Sequence, residues 1–532
     1  MCQPPCHFVS NEICMMMSVP RWMLLICSLV VVVTYSSQES LQRYLANRQA
    51  VVQKESSHRT GGSLKLNSKE LRVNQYLMTV KAKEYAAALQ GAPFPPAQHF
   101  FKSKNLIEKS EVFQLIQLLP KGAALHLHDI SITSLNWVIK NATYKADLYF
   151  CVSTDAAGSL QFEFFSVPPT VKESSCAVLW QSVSLARNKQ GAAVFDEWLF
   201  NKMSMWTDDD PKKVYPNSTA AWQKFESSLG PVYDLVRNIG VFEPYLWQAM
   251  TEFIQDNVQY MEIRGLLPPL KTSNGTQLSR NYTMQKYATI FDKFVSAYPG
   301  NFSGAKYIFS SKRHVAEEIV KSDVSLALSL RDTYPDHFAG YDLVGREDAG
   351  YPLIHFIQEL LLPSQLNRSL PYFFHAGETD WEGTSIDENL IDALLLNTSR
   401  IGHGYAITKH PVAMAMALSQ DTAIEVNPIS NQVLGLVDDL RNHPAATLIS
   451  QGFPVVISSD DPATWNAGQL SYDFYQAFMG LAGEQADLAT LKQLAQDSIR
   501  YSAMSNSEKK AAMQLWQKKW DSFLDEILSS IK

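Results

Sequence analysis

"AALHLHD", residues 123–129, is an apolar stretch that carries two histidines one residue apart and ends on an aspartate. In a β-strand alternate side chains point to the same face, so His126 and His128 would lie side by side. The chain has only 12 histidines among 532 residues, and two imidazoles on one face suit a metal ion better than an apolar core. The alternative is a polar strand edge on which both histidines are hydrogen-bonded.

Seven further apolar runs have the same form, since each is rich in strand-forming residues and ends in polar ones. They are "VQYMEIR", "AKYIFSS", "FAGYDLVG", "YFFHAGE", "RIGHG", "AIEVNPISN" and "PVVISSDD". Eight strands alternating with helices predict an α/β fold in which the strands close into a parallel (β/α)8 TIM barrel. We assign this barrel to residues 106–532. Catalytic groups of such barrels lie where the strands end, and here the polar residues fall at those ends.

One interval between strands is too long for a simple strand–helix unit. About 130 residues separate the first run from "VQYMEIR", and residues 141–205 within this interval are expected to form an inserted subdomain. An insertion after the first strand lies on the catalytic face, so it could cover the pocket. It holds Cys151 and Cys176, the two cysteines that remain after the N-terminal leader. In an oxidising compartment they predict one disulfide, with two free buried thiols as the alternative.

The N-terminal segment has the composition of a secretory signal. Arg21 precedes an apolar stretch from Trp22 to about Thr34, followed by small polar residues. Roughly a dozen apolar residues are short for a membrane span but typical of a signal peptide. We therefore assign residues 1–36 to a signal peptide and expect a secreted, extracellular protein with no membrane span in the mature chain; a retained signal anchor is the alternative. Secretion makes seven N-x-S/T sequons candidate glycosylation sites: Asn141, Asn217, Asn274, Asn281, Asn301, Asn367 and Asn397.

Composition and charge exclude two broad classes of protein. An apolar content of 46% with aromatic residues throughout is typical of a folded protein and not of a disordered one. The net charge is −7 and no dense block of lysine and arginine occurs. The chain therefore lacks the basic surface that nucleic-acid binding requires.

Residues 37–105 are expected to form a separate helical arm. Asn67 with Glu70 three residues on predicts a helix start, and Gly91 predicts its end. Val73, Leu77 and Val80 form an apolar stripe, which nothing nearby in sequence covers. We expect this dimerisation arm to bind a second copy of the chain; packing of the arm on its own domain is the alternative.

The polar residues at the strand ends have the chemistry of a catalytic metal site. Three imidazoles and one carboxylate make a zinc shell with room for water, and the predicted ligands of one Zn²⁺ per chain are His126, His128, His375 and Asp460. A bound zinc lowers the pKa of its water towards 7 and so supplies hydroxide at physiological pH. Glu378 follows His375 by three residues and is a candidate proton shuttle, while His403 could orient or polarise the hydroxide.

These motifs resemble the adenosine deaminase family of the metal-dependent amidohydrolase superfamily. The matching segments are "LPKGAALHLHD", "HAGE", "RIGHG", "NPISNQ" and "SSDDP", within roughly residues 106–505. The arm, the cysteine-bearing insertion and the signal peptide resemble its secreted branch, the adenosine deaminase-related growth factors. The resemblance implies that Glu378 donates a proton to purine N1 and that His403 helps to deprotonate the water. It also implies five substrate-binding residues: Asp129 at the ribose, Gly345 at N3, Asp461 at N7, and Trp222 with Glu226 in a covering segment.

Two positions depart from the pattern of the family. Asn427 stands where intracellular relatives have cysteine, without loss of a ligand. The branch usually has a histidine near the end of the third strand, where this chain has Lys312, with His314 two residues on. Either residue could contact the ribose.

The resemblance implies a secreted zinc enzyme that hydrolyses adenosine and 2'-deoxyadenosine to inosine, 2'-deoxyinosine and ammonia. One alternative is deamination of AMP or another purine, although no cluster of arginine or lysine beside the motifs would hold a phosphate. Another alternative is a receptor-binding growth factor with vestigial catalysis, in which the insertion binds a cell-surface receptor or glycosaminoglycan.

Overall fold

The computed structural model describes residues 41–155 and 157–531. The predicted signal peptide, residues 1–36, lies outside the described residues. The chain divides into two compact units, Met1–Ser57 and His58–Lys532. The described part of the first unit belongs to the helix Leu41–His58, which has no buried residue. Among the residues described, no helix is long and apolar enough to cross a membrane.

The strands form two parallel four-stranded sheets and one antiparallel three-stranded sheet. In chain order they are β1 Gly122–His128, β2 Leu148–Val152, β3 Leu160–Phe164, β4 Gln181–Ser182, β5 Val258–Gly265, β6 Gly304–Lys312, β7 Phe338–Val344, β8 His375–Ala376, β9 Arg400–His403, β10 Ala423–Val426 and β11 Val455–Ile457. The parallel sheets have the orders β1-β5-β6-β7 and β11-β10-β9-β8. Each of the eight apolar runs of the sequence overlaps one of these parallel strands, so the predicted strand assignment is confirmed.

Isolated bridges join the two parallel sheets at both edges. Tyr341 pairs in parallel with Tyr372, just before β8, and Leu127 of β1 pairs with Asp460, just after β11. The His128 N–H donates to the carbonyl of Asp460 at 3.1 Å, and the Asp460 N–H donates to that of His126 at 3.1 Å. The eight parallel strands therefore follow one another around a ring in the (β/α)8 arrangement, which brings their carboxyl ends to one face.

The helices surround these strands and fill the connections. The α-helices are Leu41–His58, Ser68–Leu89, Phe100–Ile107, Glu111–Leu118, Leu135–Trp137, Val183–Gln190, Ala192–Met203, Pro211–Val214, Ser218–Val236, Ile239–Gln255, Arg280–Ala297, Glu317–Thr333, Ile357–Leu360, Leu362–Gln365, Asn389–Leu395, Pro411–Ser419, Pro428–Val433, Ala445–Ser450, Ser471–Gln476, Leu488–Arg500 and Asn506–Ser530. Short 3-10 segments are Pro95–Ala97, Glu347–Ala349, Leu353–Phe356, Tyr405–Lys409 and Leu440–Asn442, and π segments are Val138–Ala142 and Ala477–Leu481.

A network of buried charges lies inside the barrel beneath its carboxyl end. Arg264 pairs with Asp342 and with Glu425, each at 2.9 Å. Arg400 pairs with Glu262 at 2.5 Å and with Glu425 at 2.6 Å. All five side chains are fully buried, and buried charges persist only when each has partners. The network links strands from both parallel sheets and supports the groups above it.

The helix Ser68–Leu89 begins at the predicted capping box, in which Asn67 accepts from the Glu70 N–H and Glu70 accepts from the Asn67 N–H. Its apolar stripe is buried, however, with Val73, Leu77 and Val80 at most 2% exposed. Trp520 and Lys492 of two C-terminal helices donate to Glu70 at 2.8 and 2.6 Å. The stripe therefore packs on the chain's own domain, which was the alternative, and it is not free to bind a second copy.

The inserted residues 141–205 hold the antiparallel sheet, in the order β3-β2-β4, followed by the helices Val183–Gln190 and Ala192–Met203. Cys151 at the end of β2 forms a disulfide with Cys176, so the predicted pairing is confirmed. Both cysteines are fully buried, against Trp180. The helix Ser218–Val236 packs on β3 and connects this sheet to the barrel.

Candidate active site

A cavity of about 440 Å³ opens at the carboxyl ends of the parallel strands. Every residue that the sequence predicts as a zinc ligand, proton shuttle or substrate contact lines this cavity, with the exception of His126, which lies fully buried beneath it. The lining comes mainly from seven strand ends and from the helix Ser218–Val236. The structure thus brings together side chains that lie up to about 330 residues apart in sequence. This is typical of the fold, in which catalytic groups come from the ends of several different strands.

A cluster of histidines and one carboxylate lies at the floor of the cavity. His126, His375, His403 and Asp460 offer ligand atoms that all lie within 4.8 Å of one another. His128 belongs to the same cluster, because its Nε2 lies 3.0 Å from Asp460 Oδ1. The same oxygen lies 3.2 Å from His126 Nε2. The cluster could hold one divalent ion, and nitrogen and oxygen donors of this kind suit zinc.

Two buried carboxylates orient the rings of the cluster from below. His126 Nδ1 lies 2.6 Å from Glu425 Oε2, and His375 Nδ1 lies 2.7 Å from Asp342 Oδ2. Each ring therefore keeps its Nδ1–H for a carboxylate and presents an unprotonated Nε2 to the cluster, as metal-binding histidines do. His126 Nε2 and Asp460 Oδ1 are buried and make no hydrogen bond within the described part of the chain. These unsatisfied atoms fit a metal ion.

Glu378 lies beside this cluster as a buried acid. The residue is 7% exposed, and burial, with the nearby Asp460 carboxylate adding to it, raises the pKa of Glu378 well above 4.5. His403 Nδ1 lies 3.4 Å from Glu378 Oε1. A protonated carboxyl group that faces a cavity can donate a proton near neutral pH.

Two residues of the site have a backbone conformation that is unfavourable for a side chain. His403 and Asp460 have φ values of 61° and 60°, in the left-handed region that non-glycine residues rarely adopt. His403 closes β9 and Asp460 follows β11 by three residues, and both line the cavity. Such strain is concentrated at functional sites.

Asp129 forms one wall of the cavity with two tyrosines. The hydroxyls of Tyr287 and Tyr307 donate to Asp129 Oδ2 at 3.0 and 3.2 Å, while burial raises the pKa of Asp129 to about 6. Gly265 at the end of β5 makes room for this carboxylate, because a Cβ there would lie 1.9 Å from Asp129 Oδ2. Asp461 also lines the cavity, and burial beside Asp460 raises the pKa of Asp461 well above 3.8.

The roof of the cavity comes from the helix Ser218–Val236. Trp222 and Glu226 line the cavity from one face of this helix, together with Phe225, whose ring stacks on Trp465 at 5.8 Å. None of the described residues between 141 and 205 lines the cavity. The expectation that the insertion covers the pocket is therefore wrong, because the insertion packs on the outer side of the roofing helix.

The two candidates at the third barrel strand both reach the cavity. Lys312 and His314 are exposed and line it, and His314 Cε1 lies 3.6 Å from the Cβ position of Gly345. Arg313 between them points inwards and is fully buried, where it donates to the carbonyl of His375. Gly345 lines the same wall with a φ of 104°.

Sequence reasoning missed the groups that support the site from behind. These are Glu425 and Asp342, together with Ser430, whose hydroxyl donates to Asp460 Oδ2 at 2.6 Å, and Asn431, which contacts His403 Nδ1 at 3.0 Å. One signal was available, since a carboxylate inside the apolar runs "AIEV" and "FAGYDLV" is unexpected in a buried strand unless it has a partner.

Comparisons with known sequences agree with this geometry. A family model described as "Adenosine deaminase" matches residues 207–519, and one described as "Adenosine/AMP deaminase N-terminal" matches residues 22–116. Adenosine deaminase 2 of Sus scrofa is 44% identical, over 94% of this chain and 98% of the relative. Adenosine deaminase 2 of Homo sapiens is 43% identical, over 94% and 97%. An adenosine deaminase of Phlebotomus duboscqi is 40% identical, over 88% and 90%.

Solved structures share the fold at low sequence identity. The ADAL–IMP complex superposes with a TM-score of 0.55 at 17% identity, over 77% of this chain and 99% of that one. The N6-methyl-AMP deaminase of Arabidopsis thaliana superposes with a TM-score of 0.52 at 17% identity, over 76% and 98%. At this identity the likeness shows the barrel architecture alone.

Proposed function

The chain belongs to the adenosine deaminase family, and from this premise we propose that it hydrolyses adenosine and 2'-deoxyadenosine to inosine, 2'-deoxyinosine and ammonia. The observation that carries the proposal is the buried Glu378, with its raised pKa, beside a buried cluster of histidines and Asp460. This pairing of a proton donor with a metal-type cluster in one cavity suits hydrolytic attack on an aromatic amidine.

The proposed ligands of one Zn²⁺ per chain are His126, His128, His375 and Asp460. The unsatisfied His126 Nε2 and Asp460 Oδ1 support this set, as do the carboxylates that hold the opposite nitrogens of His126 and His375. When bound, the ion would lower the pKa of a coordinated water towards 7 and supply a hydroxide nucleophile.

The protein's own residues would then transfer protons and orient the purine. Glu378 donates its proton to purine N1 as hydroxide adds to C6, and the proton released from the water restores the Glu378 acid. The C6–N bond then breaks as the added hydroxyl passes its proton to the amino group, so that C6 keeps a carbonyl oxygen and ammonia leaves. His403 faces the attacking oxygen and either orients it or takes its proton. Asp461 binds N7 and the Gly345 N–H donates to N3, which together fix the purine plane.

The remaining wall residues would hold the sugar. Asp129 accepts from a ribose hydroxyl, with its carboxylate fixed by two tyrosines. Trp222 and Glu226 cover the bound nucleoside from the roofing helix, and Lys312 or His314 contacts the ribose from the opposite wall. Lys312 is the one lysine or arginine among the described lining residues, whereas a phosphate is normally held by several cations. This composition favours a nucleoside over AMP.

Secretion is part of the proposal. The disulfide between Cys151 and Cys176 supports it, because such bonds persist in oxidising compartments. All seven sequon asparagines are exposed, which glycosylation requires. We propose that the protein is an extracellular glycoprotein that acts on nucleosides outside the cell.

A second activity, binding of a cell-surface receptor through residues 141–205, is favoured by one observation. The insertion exposes Val167, Val171 and Leu185 at 73%, 74% and 70%, and apolar side chains exposed on a separate subdomain are typical of contact surfaces. This binding would add growth-factor activity to the enzyme.

The test is the rate of ammonia release from adenosine, 2'-deoxyadenosine and AMP by purified protein. The proposal predicts turnover of both nucleosides with at least tenfold lower kcat/KM for AMP, since ~1.4 kcal/mol of unfavourable free energy for a phosphate without its usual cations already gives that factor. Removal of the metal with a chelator should abolish turnover, and added Zn²⁺ should restore it. Turnover of AMP in preference to adenosine would contradict the substrate assignment.

A further inference from the structure

His443 is a buried histidine that the proposed reaction does not use. It is 2% exposed, lies between the turn Leu440–Asn442 and the helix Ala445–Ser450, and packs edge-on against the ring of Tyr405. Its Nδ1 accepts from the Ala445 N–H at 3.0 Å. Its Nε2 lies 2.9 Å from Asn431 Oδ1, and Asn431 Nδ2 lies 3.0 Å from His403 Nδ1. A backbone amide is thus connected to His403 through two side chains.

The direction of each hydrogen bond in this chain follows from the backbone amide. The Ala445 N–H can only donate, so His443 Nδ1 must carry a lone pair. Burial lowers the pKa of His443 to about 3, so the ring is neutral and its single proton lies on Nε2. This N–H requires an acceptor, and the Asn431 atom that faces it must be the carbonyl oxygen. The amide NH2 of Asn431 therefore donates to His403 Nδ1.

The reverse direction leaves two donors in contact. If His403 carried its proton on Nδ1, Asn431 would have to turn its oxygen to His403 and its NH2 to His443. The NH2 would then face the Nε2–H of His443 at 2.9 Å, which leaves two buried donors without an acceptor. Glu378 Oε1 lies 3.4 Å from the same His403 Nδ1, whereas Asn431 Nδ2 lies closer, at 3.0 Å.

We propose that Asn431 and His443 are positioning residues that fix His403 in the Nε2–H tautomer. His403 Nε2, which lies 3.7 Å from Asp460 Oδ2, then presents a hydrogen to the cavity and not a lone pair. This inference rests on the proposed function, and it selects between the two roles left open there for His403. A ring with a protonated Nε2 donates a hydrogen bond to the attacking oxygen and orients it, but does not take its proton.

The direct test is NMR of the ring nitrogens in zinc-loaded protein with ¹⁵N-labelled histidine, because the two tautomers have different ring ¹⁵N shifts. The His403 signals are identified by their loss in His403→Gln. We expect wild-type His403 to be protonated at Nε2 and not at Nδ1. A proton at Nδ1, or at both nitrogens, would overturn the proposal. The measurement needs no substrate, so it stands or fails separately from adenosine turnover.

Asn431→Asp tests the same inference with almost no change of shape. A carboxylate oxygen in place of the amide requires a donor at His403 Nδ1, so the proton should move to that nitrogen. We expect kcat to fall by about 10- to 100-fold, the scale seen when outer hydrogen-bond partners in metal sites are removed, with KM and zinc content unchanged. The matched control is Asn442→Asp, which places the same charge on an exposed neighbour of His443 and should alter neither the tautomer nor kcat. An unchanged tautomer in Asn431→Asp would contradict the role of Asn431.

Discussion

At the scale of single residues, the site depends on what each histidine does with its second ring nitrogen. Three of the cluster histidines have Nδ1 occupied by a buried partner: His126 by Glu425, His375 by Asp342 and His403 by Asn431. Each partner favours one tautomer of its ring, so the protonation of Nε2 in these three rings is determined before a metal or substrate binds. Preorganisation of this kind removes reorganisation from the reaction itself.

Glu425→Gln should destabilise both the barrel and the metal site. Glu425 is the shared partner of Arg264 and Arg400 and also holds His126. Loss of its charge leaves two buried guanidiniums under-compensated, which typically costs 3–5 kcal/mol, and loosens a ligand, which typically weakens metal binding about 10- to 100-fold. Chemical denaturation and zinc titration measure the two effects. A variant with wild-type stability would show that the buried network does not depend on this carboxylate.

Gly265→Ala should weaken substrate binding without removing the metal. The added Cβ would meet Asp129 Oδ2 at 1.9 Å and displace a carboxylate that two tyrosines hold. We expect KM for adenosine to rise more than kcat falls, with zinc content unchanged. Gly230→Ala is the matched control, because Gly230 also lines the cavity but a Cβ there meets nothing within 4 Å. Equal kinetics of the two variants would argue against Asp129 as a sugar contact.

The metal-site and proton-transfer residues that sequence reasoning found share one property: each stands at or near the end of a strand in a short, recognisable motif. The residues that it missed act through contacts between distant parts of the chain. His126 and Glu425 are 299 residues apart, and His443 reaches His403 only through Asn431. No local pattern encodes such contacts, since hydrogen-bond partners depend on how the strands and loops are assembled.

At the scale of elements, the apolar runs predicted the barrel strands, and the capping pattern of Asn67 and Glu70 predicted the start of the helix Ser68–Leu89. Both predictions succeeded because they depend on local sequence. The partner of that helix was not predictable. The helix packs on Glu111–Leu118 and on the two C-terminal helices Leu488–Arg500 and Asn506–Ser530. Because the C-terminal partners lie about 400 residues along the chain, an apolar stripe alone could not distinguish packing on its own domain from packing on a second copy.

Replacement of Cys151 and Cys176 by alanine should loosen the insertion and spare the barrel. The disulfide closes a loop of 25 residues, which contributes on the order of 3 kcal/mol in the chain-entropy model. Hydrogen exchange should rise in β2 and β3 and stay unchanged in the barrel strands. Adenosine turnover should be retained, because the described residues of the insertion do not line the cavity. Loss of turnover with an intact barrel would show that the insertion shapes the roof of the site.

At the scale of the whole molecule, a homodimer remains our expectation, but the stripe of the helix Ser68–Leu89 cannot form it. The helix Leu41–His58 exposes Leu41, Leu45 and Val52 at 71%, 50% and 43%, and these residues fall on one face of the helix. An apolar face of this kind suits a second copy of the same helix.

Light scattering at micromolar concentration tests this assembly. We expect twice the mass of one chain for the wild type and the mass of one chain for the double variant Leu45→Glu, Val52→Glu. Adenosine turnover per chain should stay the same in that variant, because neither residue lines the cavity. A monomeric wild type would contradict the dimer.

The measurement that tests the central claim most directly is ammonia released from adenosine per bound zinc, compared between wild type and Glu378→Gln. Glutamine keeps the size of the side chain but has no proton to give to N1. Loss of a general acid typically costs about 10²- to 10⁴-fold, so we predict that loss in turnover with one zinc per chain retained and the melting temperature little changed. Glu382→Gln, an exposed neighbour in the same loop, should keep full turnover. A Glu378→Gln protein that retains more than about a tenth of wild-type turnover, or a wild type that holds zinc and releases no ammonia, would contradict the account.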